Sequence, residues 1–209
     1  MRKAFAILTF VAAGGLLLPA FAQNSPPPRS DQPAATEPAK PPQTREERLN
    51  DLFGQLKRER NEKAAERIAG QIWKEWFQSG SSSIDLMMQW AQQAMEQQKY
   101  DVALDFLDEV ITLQPGYAEG WNRRATVYYL AGQYDKSIAD CHEVLKRNPR
   151  HFGALSGMGQ IHVQLEDYEN ALRWYRRALE VNPNMLGVEM NIRLLEEKLK
   201  DQRAPGRSI

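Results

Sequence analysis

The strongest constraint on this chain is a recurrence. Pro115, Pro149 and Pro183 stand 34 apart, and so do Tyr100, Tyr134 and Tyr168. The segments between them align without a gap, each as an apolar-periodic helix, a short turn, a Tyr-led second helix and a closing proline. A single hairpin of this size cannot bury its own apolar side, so units of fixed period stack and share one continuous core. Such a solenoid offers extended surfaces, which points to binding rather than catalysis.

The two ends of the 209-residue chain read differently from its middle. Residues 1–22 have the form of a secretory leader: Arg2 and Lys3, an apolar run from Ala4 to Leu18, and Ala20-Phe21-Ala22 as a small-residue cleavage site. The run is too short for a comfortable membrane span. The expected address is therefore the periplasm or the exterior, with cleavage after Ala22; a leader kept as an anchor is the alternative. Residues 23–44 hold seven prolines and almost no apolar bulk, the composition of a disordered linker. As a flexible coil it would reach roughly 25 Å.

Lys and Arg together number 27, equal to Asp and Glu, and loss of the leader removes two bases and no acid. The near-neutral balance gives no footprint for nucleic acid or an anionic membrane. One cysteine, Cys141, excludes an internal disulfide framework.

Residues 45–83 read as a degenerate helical hairpin. Thr44 and Glu47 form a capping box, Phe53 and Leu56 mark its first helix, and Ala69, Trp73 and Trp76 its second. Counting back one period places it in frame as a first unit covering the end of the stack. The clear units are 84–117, 118–151 and 152–185. Small residues recur at position 8 (Ala91, Ala125, Gly159) and at position 20 (Ala103, Ser137, Ala171). Larger ones recur at position 4 (Met87, Trp121, Leu155) and position 24 (Leu107, Cys141, Tyr175). Small residues let the paired axes approach, bulky ones fill the space between hairpins, and proline ends each second helix. Arg124 stands at position 7 with Trp90 and Met158, His162 at position 11 with Ala94 and Tyr128, and Ser137 is the polar member of position 20; their long or polar groups need partners or solvent. By register Trp73, Trp90 and Trp121 are packing residues; only Trp76 or Trp174, if partly exposed, would hint at an outer contact. Residues 186–202 continue as an amphipathic capping helix, and 203–209 as a disordered tail.

This pattern resembles the tetratricopeptide repeat family. The resemblance implies an all-α, right-handed superhelical solenoid of antiparallel hairpins with a C-terminal capping helix. It also implies that the inner face is lined by the first helix of each repeat. On that face the candidate partner-binding residues are Met88, Gln92, Met95, Asn122, Thr126, Tyr129, Gln160 and Val163. Amides can bond an extended peptide backbone, and methionines repack around varied apolar groups. The basic clamp that some members use for a carboxylate tail is absent: Met88 stands at one of its positions, and Gly153 and Gly157 replace the later bases.

No catalytic constellation is legible. Cys141 and His142 are adjacent on a helix and point about 100° apart, so they cannot easily share a metal. His151 falls in a turn and His162 at a packing position. Arg123-Arg124 and Arg176-Arg177 sit among acids and read as solvated faces. The expectation is a non-catalytic envelope adaptor binding a protein or peptide segment, with no cofactor, metal or nucleic acid. A self-associating structural subunit is the alternative.

Overall fold

The computed structural model describes residues 43–203; the leader, all but the last two linker residues and residues 204–209 lie outside them. Among the described residues the chain is all helix: α1 (Arg45–Arg58), α2 (Glu62–Phe77), α3 (Ser82–Glu96), α4 (Tyr100–Leu113), α5 (Ala118–Leu130), α6 (Tyr134–Arg147), α7 (Phe152–Gln164), α8 (Tyr168–Val181) and α9 (Leu186–Arg203). The capping box forms, with the Glu47 N–H donating to Thr44 Oγ1 at 3.2 Å and the Thr44 N–H to Glu47 Oε2 at 2.8 Å. Asn61 and Asp167 cap α2 and α8 from one side, their side-chain oxygens accepting the Ala64 and Asn170 N–H groups. The period reaches the backbone too. Gln98, Gly132 and Glu166, one period apart, take positive φ of 59°, 72° and 57° at the turn inside each repeat.

The pairs α3/α4, α5/α6 and α7/α8 are the three repeats, and α9 closes the stack by laying Val188, Leu195 and Leu199 on Tyr168, Leu172 and Tyr175 of α8. In the third pair, sizes at positions 8 and 24 compensate. Ala91 accompanies Leu107 and Ala125 accompanies Cys141, whereas Gly159 accompanies the much larger Tyr175. A Cβ on Gly159 would come within 2.4 Å of the Tyr175 ring. The three departures from the repeat pattern all find partners. Arg124 forks onto Asp140 with two bonds of 2.8 Å and reaches Asp108 at 2.6 Å. Ser137 Oγ donates to the Ala125 carbonyl at 2.7 Å, and His162 Nδ1 lies 3.1 Å from Asp167 Oδ2. The expected solvated face around Arg124 is thus an ion-pair cluster joining α4, α5 and α6.

The N-terminal hairpin forms but does not stack in frame. Phe53, Leu56, Ala65, Ile72 and Trp76 are buried against Phe152, Val181 and Met185, at the turns that enter α7 and α9, and not against α3. Gly80, at φ 84°, turns the chain out of α2. Trp73 and Trp76 then lie edge-on and tilted against the Phe152 ring, at 5.5 and 5.0 Å. Gly153 makes the approach possible, because a Cβ there would meet the Trp73 ring at 2.6 Å. Trp90 is in consequence no core residue. With no preceding hairpin on α3 it stays 43% exposed, while Trp76 is buried.

Gly159→Ala is expected to cost about 1–3 kcal/mol by overpacking against Tyr175. Adding Tyr175→Leu, the pairing of the first repeat, should recover part of that loss, so a denaturant double-mutant cycle would show favourable coupling. Additive losses would contradict the size compensation.

Candidate functional site

The hairpin is seated on a sealed polar contact. His151 caps α7: its Nδ1 accepts the Ala154 N–H at 2.9 Å, which leaves the ring proton on Nε2. That proton faces Glu119 Oε1 at 2.6 Å, and Glu119 Oε2 accepts from Asn122 Nδ2 at 3.0 Å. The Trp76 indole stacks on the imidazole at 4.3 Å, and Trp73 meets it edge-on at 5.2 Å. A histidine on a carboxylate is also the geometry of a general base, but His151 and Glu119 are 0% and 1% exposed. With both side chains out of solvent, the pair acts as a clamp between the starts of α5 and α7. Around it, Tyr117 donates its hydroxyl to the Phe77 carbonyl at 2.8 Å, Gln114 bonds the Ser79 carbonyl at 2.9 Å, and Arg150 reaches Asn50 at 2.8 Å. Burial, helped by the Glu119 and Asp85 carboxylates, holds the Tyr117 phenol well above its ordinary ionisation range.

The hairpin thereby becomes a wall of the inner face. One cavity of about 510 Å³ lies between it and α3, lined by Phe77, Asp85, Met88, Gln92, Tyr117 and Arg123. A second, of about 170 Å³, lies between α5 and α7, lined by Asn122, Thr126, Tyr129, Cys141, Gly157 and Gln160 among others. Further along, α2 brings Glu62 and Glu66 opposite Gly153, Ser156 and Gln160.

The eight candidate residues therefore divide. Met88 and Gln92 share the first cavity, and Asn122, Thr126, Tyr129 and Gln160 share the second. Met95 and Val163 instead pack on the cores of their own hairpins, and Met88, only 8% exposed, belongs to the α3/α4 core as well as to the lining of its cavity. The amides are not idle donors. Gln92 is held by Arg123 and donates to Glu96 at 2.6 Å, Asn122 is bound to Glu119, and Gln160 accepts from Tyr175 at 3.3 Å. Sequence reasoning missed Phe77 and Arg123. Phe77 belongs to a hairpin expected elsewhere. Arg123 is not a solvated charge: it bonds Gln92 and lies over the Phe77 ring, 5.5 Å from its centroid. The other arginine pair has real solvent contact, with Arg176 meeting Glu196 at 2.6 Å on an exposed cleft between α8 and α9. Among the described residues no group of three His, Cys, Asp or Glu side chains could hold a metal ion.

Comparison with known proteins agrees with this architecture. A family model described as tetratricopeptide repeat matches residues 116–184. A TPR repeat-containing protein of Rhizobium etli is 46% identical over 157 residues, which are 75% of this chain and 77% of that protein. The Hsp70-Hsp90 organizing protein 2 of Arabidopsis thaliana is 25% identical over 53% of this chain, but only 22% of its own length is matched. Among solved structures, the Sgt2 TPR domain of Aspergillus fumigatus superposes with a TM-score of 0.56 at 19% identity, covering 62% of this chain and 89% of that one. The first TPR of Spaghetti, bound to the HSP90 peptide SRMEEVD, gives 0.54 at 23% identity, covering 56% and 93%.

Cys141 lines the second cavity yet is only 3% exposed. Burial, with the Asp140 charge beside it, pushes its thiol from the ordinary 9.0 up to about 12. It is a packing group and a poor nucleophile. Two consequences are measurable. Thiol reagents should modify it at the rate of unfolding. Because the unfolded thiol ionises first, its contribution to stability should fall as pH rises from about 9 toward 12. Cys141→Ala should show a flatter stability-versus-pH slope over that range; identical slopes would contradict the assignment.

Proposed function

The chain is a member of the tetratricopeptide repeat family, and on that premise we propose that it is a non-catalytic adaptor of the bacterial envelope. It grips an extended segment of another protein along the inner faces of α3, α5 and α7. The observation that carries the reading is the pair of cavities on that face, walled by Phe77 and floored by amides held in place by their own hydrogen bonds. Amides fixed before binding lose less entropy when a backbone reaches them. The solved neighbour with the HSP90 peptide supports a peptide as the class of guest.

The chemistry of the guest differs from that acidic tail. Met88 is apolar and buried where a clamp lysine would stand. The cationic side chain of the first cavity, Arg123, is engaged with Gln92 and faces Asp85 and Glu96 across the same cavity. An apolar side chain resting on Phe77 and Met88, with its backbone bonded by amides, fits better than a carboxylate cluster. The envelope setting rests on the leader-like form of residues 1–22, and the relative from Rhizobium etli supports a bacterial one. Among the described residues no helix is long and apolar enough to cross a membrane.

The test is photocrosslinking in intact cells with a photoreactive residue at Gln92, at Tyr129, or at the exposed Glu180 of α8. The expected result is one protein captured from Gln92 and Tyr129 and not from Glu180, with capture lost on Met88→Glu. Equal capture from all three positions, or none from the groove, would overturn the reading.

A further inference from the structure

The unframed hairpin leaves a second surface uncovered. In the second and third repeats, the face that looks back along the stack is buried by the helix before it. Gly120 lies beneath Val110 and Ile111 of α4, and Ala154 and Met158 are each 1% exposed. Leu86 and Trp90 hold those same repeat positions in the first repeat, where they are 42% and 43% exposed. Val102 and Leu113 of α4 extend the patch at 44% and 58%, and Phe106 stands between them with its ring 5.4 Å from Trp90. On α4 these three fall in one stripe, at spacings of four and seven. The repeat stack thus ends in an apolar face of the kind that receives a helix, and no described residue of the chain supplies one.

Charge says what kind of helix. Residues 82–113 carry Asp85, Glu96, Asp101, Asp105, Asp108 and Glu109 against a single base, Lys99. Asp108 is neutralised by Arg124, and Asp85 accepts from Ser79. Asp101 and Asp105 are exposed on α4 beside the apolar stripe, and Glu109 is exposed within it, three residues after Phe106 and four before Leu113; none of the three has an ion pair among the described residues. We propose that this end face docks one amphipathic helix of a partner protein, apolar along one stripe and flanked by Lys or Arg. The helix would lie where the second helix of a preceding repeat would lie, as α4 lies on α5. The surface is distinct from the groove and does not depend on what the groove binds.

The same charges argue against other occupants. Two copies meeting face to face would bring Asp105 and Glu109 against their own kind. An anionic lipid surface is repelled for the same reason. The far end of a second copy offers the exposed stripe of Leu186, Met190 and Leu194, but Glu189 and Glu197 flank it as well as Arg193.

The test uses the full chain and a synthetic 18-residue helix with Leu at i, i+3, i+4 and i+7 and Lys on both flanks, followed by fluorescence anisotropy. Two controls replace every Lys by Glu or scramble the order. The Lys helix should bind at least about tenfold tighter than either control and weaken as salt is raised. Trp90→Ser, an exposed change that leaves the helical spectrum intact, should abolish binding, whereas Tyr129→Ala in the groove should leave it unchanged. Asp105→Lys with Glu109→Lys should reverse the preference toward the Glu helix, which keeps the test independent of any one variant's folding. Equal binding of the Lys and Glu helices, binding that survives Trp90→Ser or is lost with Tyr129→Ala, or concentration-dependent self-association that buries Trp90 would each overturn the proposal.

Discussion

The bond between His151 and Glu119, sealed beneath the Trp76 indole, organises the surface of this molecule. It joins the start of α5 to the start of α7, and its dryness depends on α2 lying across both. A hydrogen bond to a carboxylate is strong where water is excluded, and it is costly to leave half-made. Trp73, Trp76, Phe53 and Phe152 complete an aromatic cluster around it. The hairpin is therefore held by polar and apolar contacts together, and its position decides which faces of the repeat stack are open.

Two consequences follow from one placement. Laid over the turns, α2 gives the inner face a wall, Phe77, that a regularly stacked first unit would have kept away from α5. Absent from the end of the stack, it leaves Leu86 and Trp90 without the cover that their counterparts Ala154 and Met158 enjoy. A solenoid is close to one-dimensional, so each unit meets only its neighbours. Moving the terminal unit changes the groove and the end face at once without disturbing the repeats between them.

Much of the fold was legible because the repeat imposes the same physics three times. Tyr100, Tyr134 and Tyr168 each open a second helix, and the family positions of Ala91, Ala125 and Gly159 allow the close approach they were expected to allow. Arg124, Ser137 and His162 were read as needing either partners or solvent, and Arg124 as part of a solvated face; all three have partners, which pairwise spacing could not name, since Asp140 lies on another helix from Arg124. The path of the first hairpin was not read, although a signal existed. Ser81 stands one period before Pro115, preceded by Gly80, so the link that turns each later repeat onto the next is missing there. Trp90 was misjudged and Phe77 passed over as a direct result. His151 was read only as a turn residue and Glu119 was not singled out, because a buried pair almost a full repeat apart leaves no local trace. Met95 and Val163 show the same limit. Helical spacing assigns a face, but neighbouring side chains decide whether that face is a wall or a core.

The central claim is that the first hairpin lies across the turns of the later repeats rather than on top of α3. Nitroxide labels at Asn50 and Arg150, side chains that bond at 2.8 Å, test it against a second pair at Asn50 and Trp90. With Cys141 replaced by Ser to leave only the introduced thiols, the account predicts strong dipolar broadening for the first pair and little for the second. Broadening between Asn50 and Trp90, with none between Asn50 and Arg150, would contradict it.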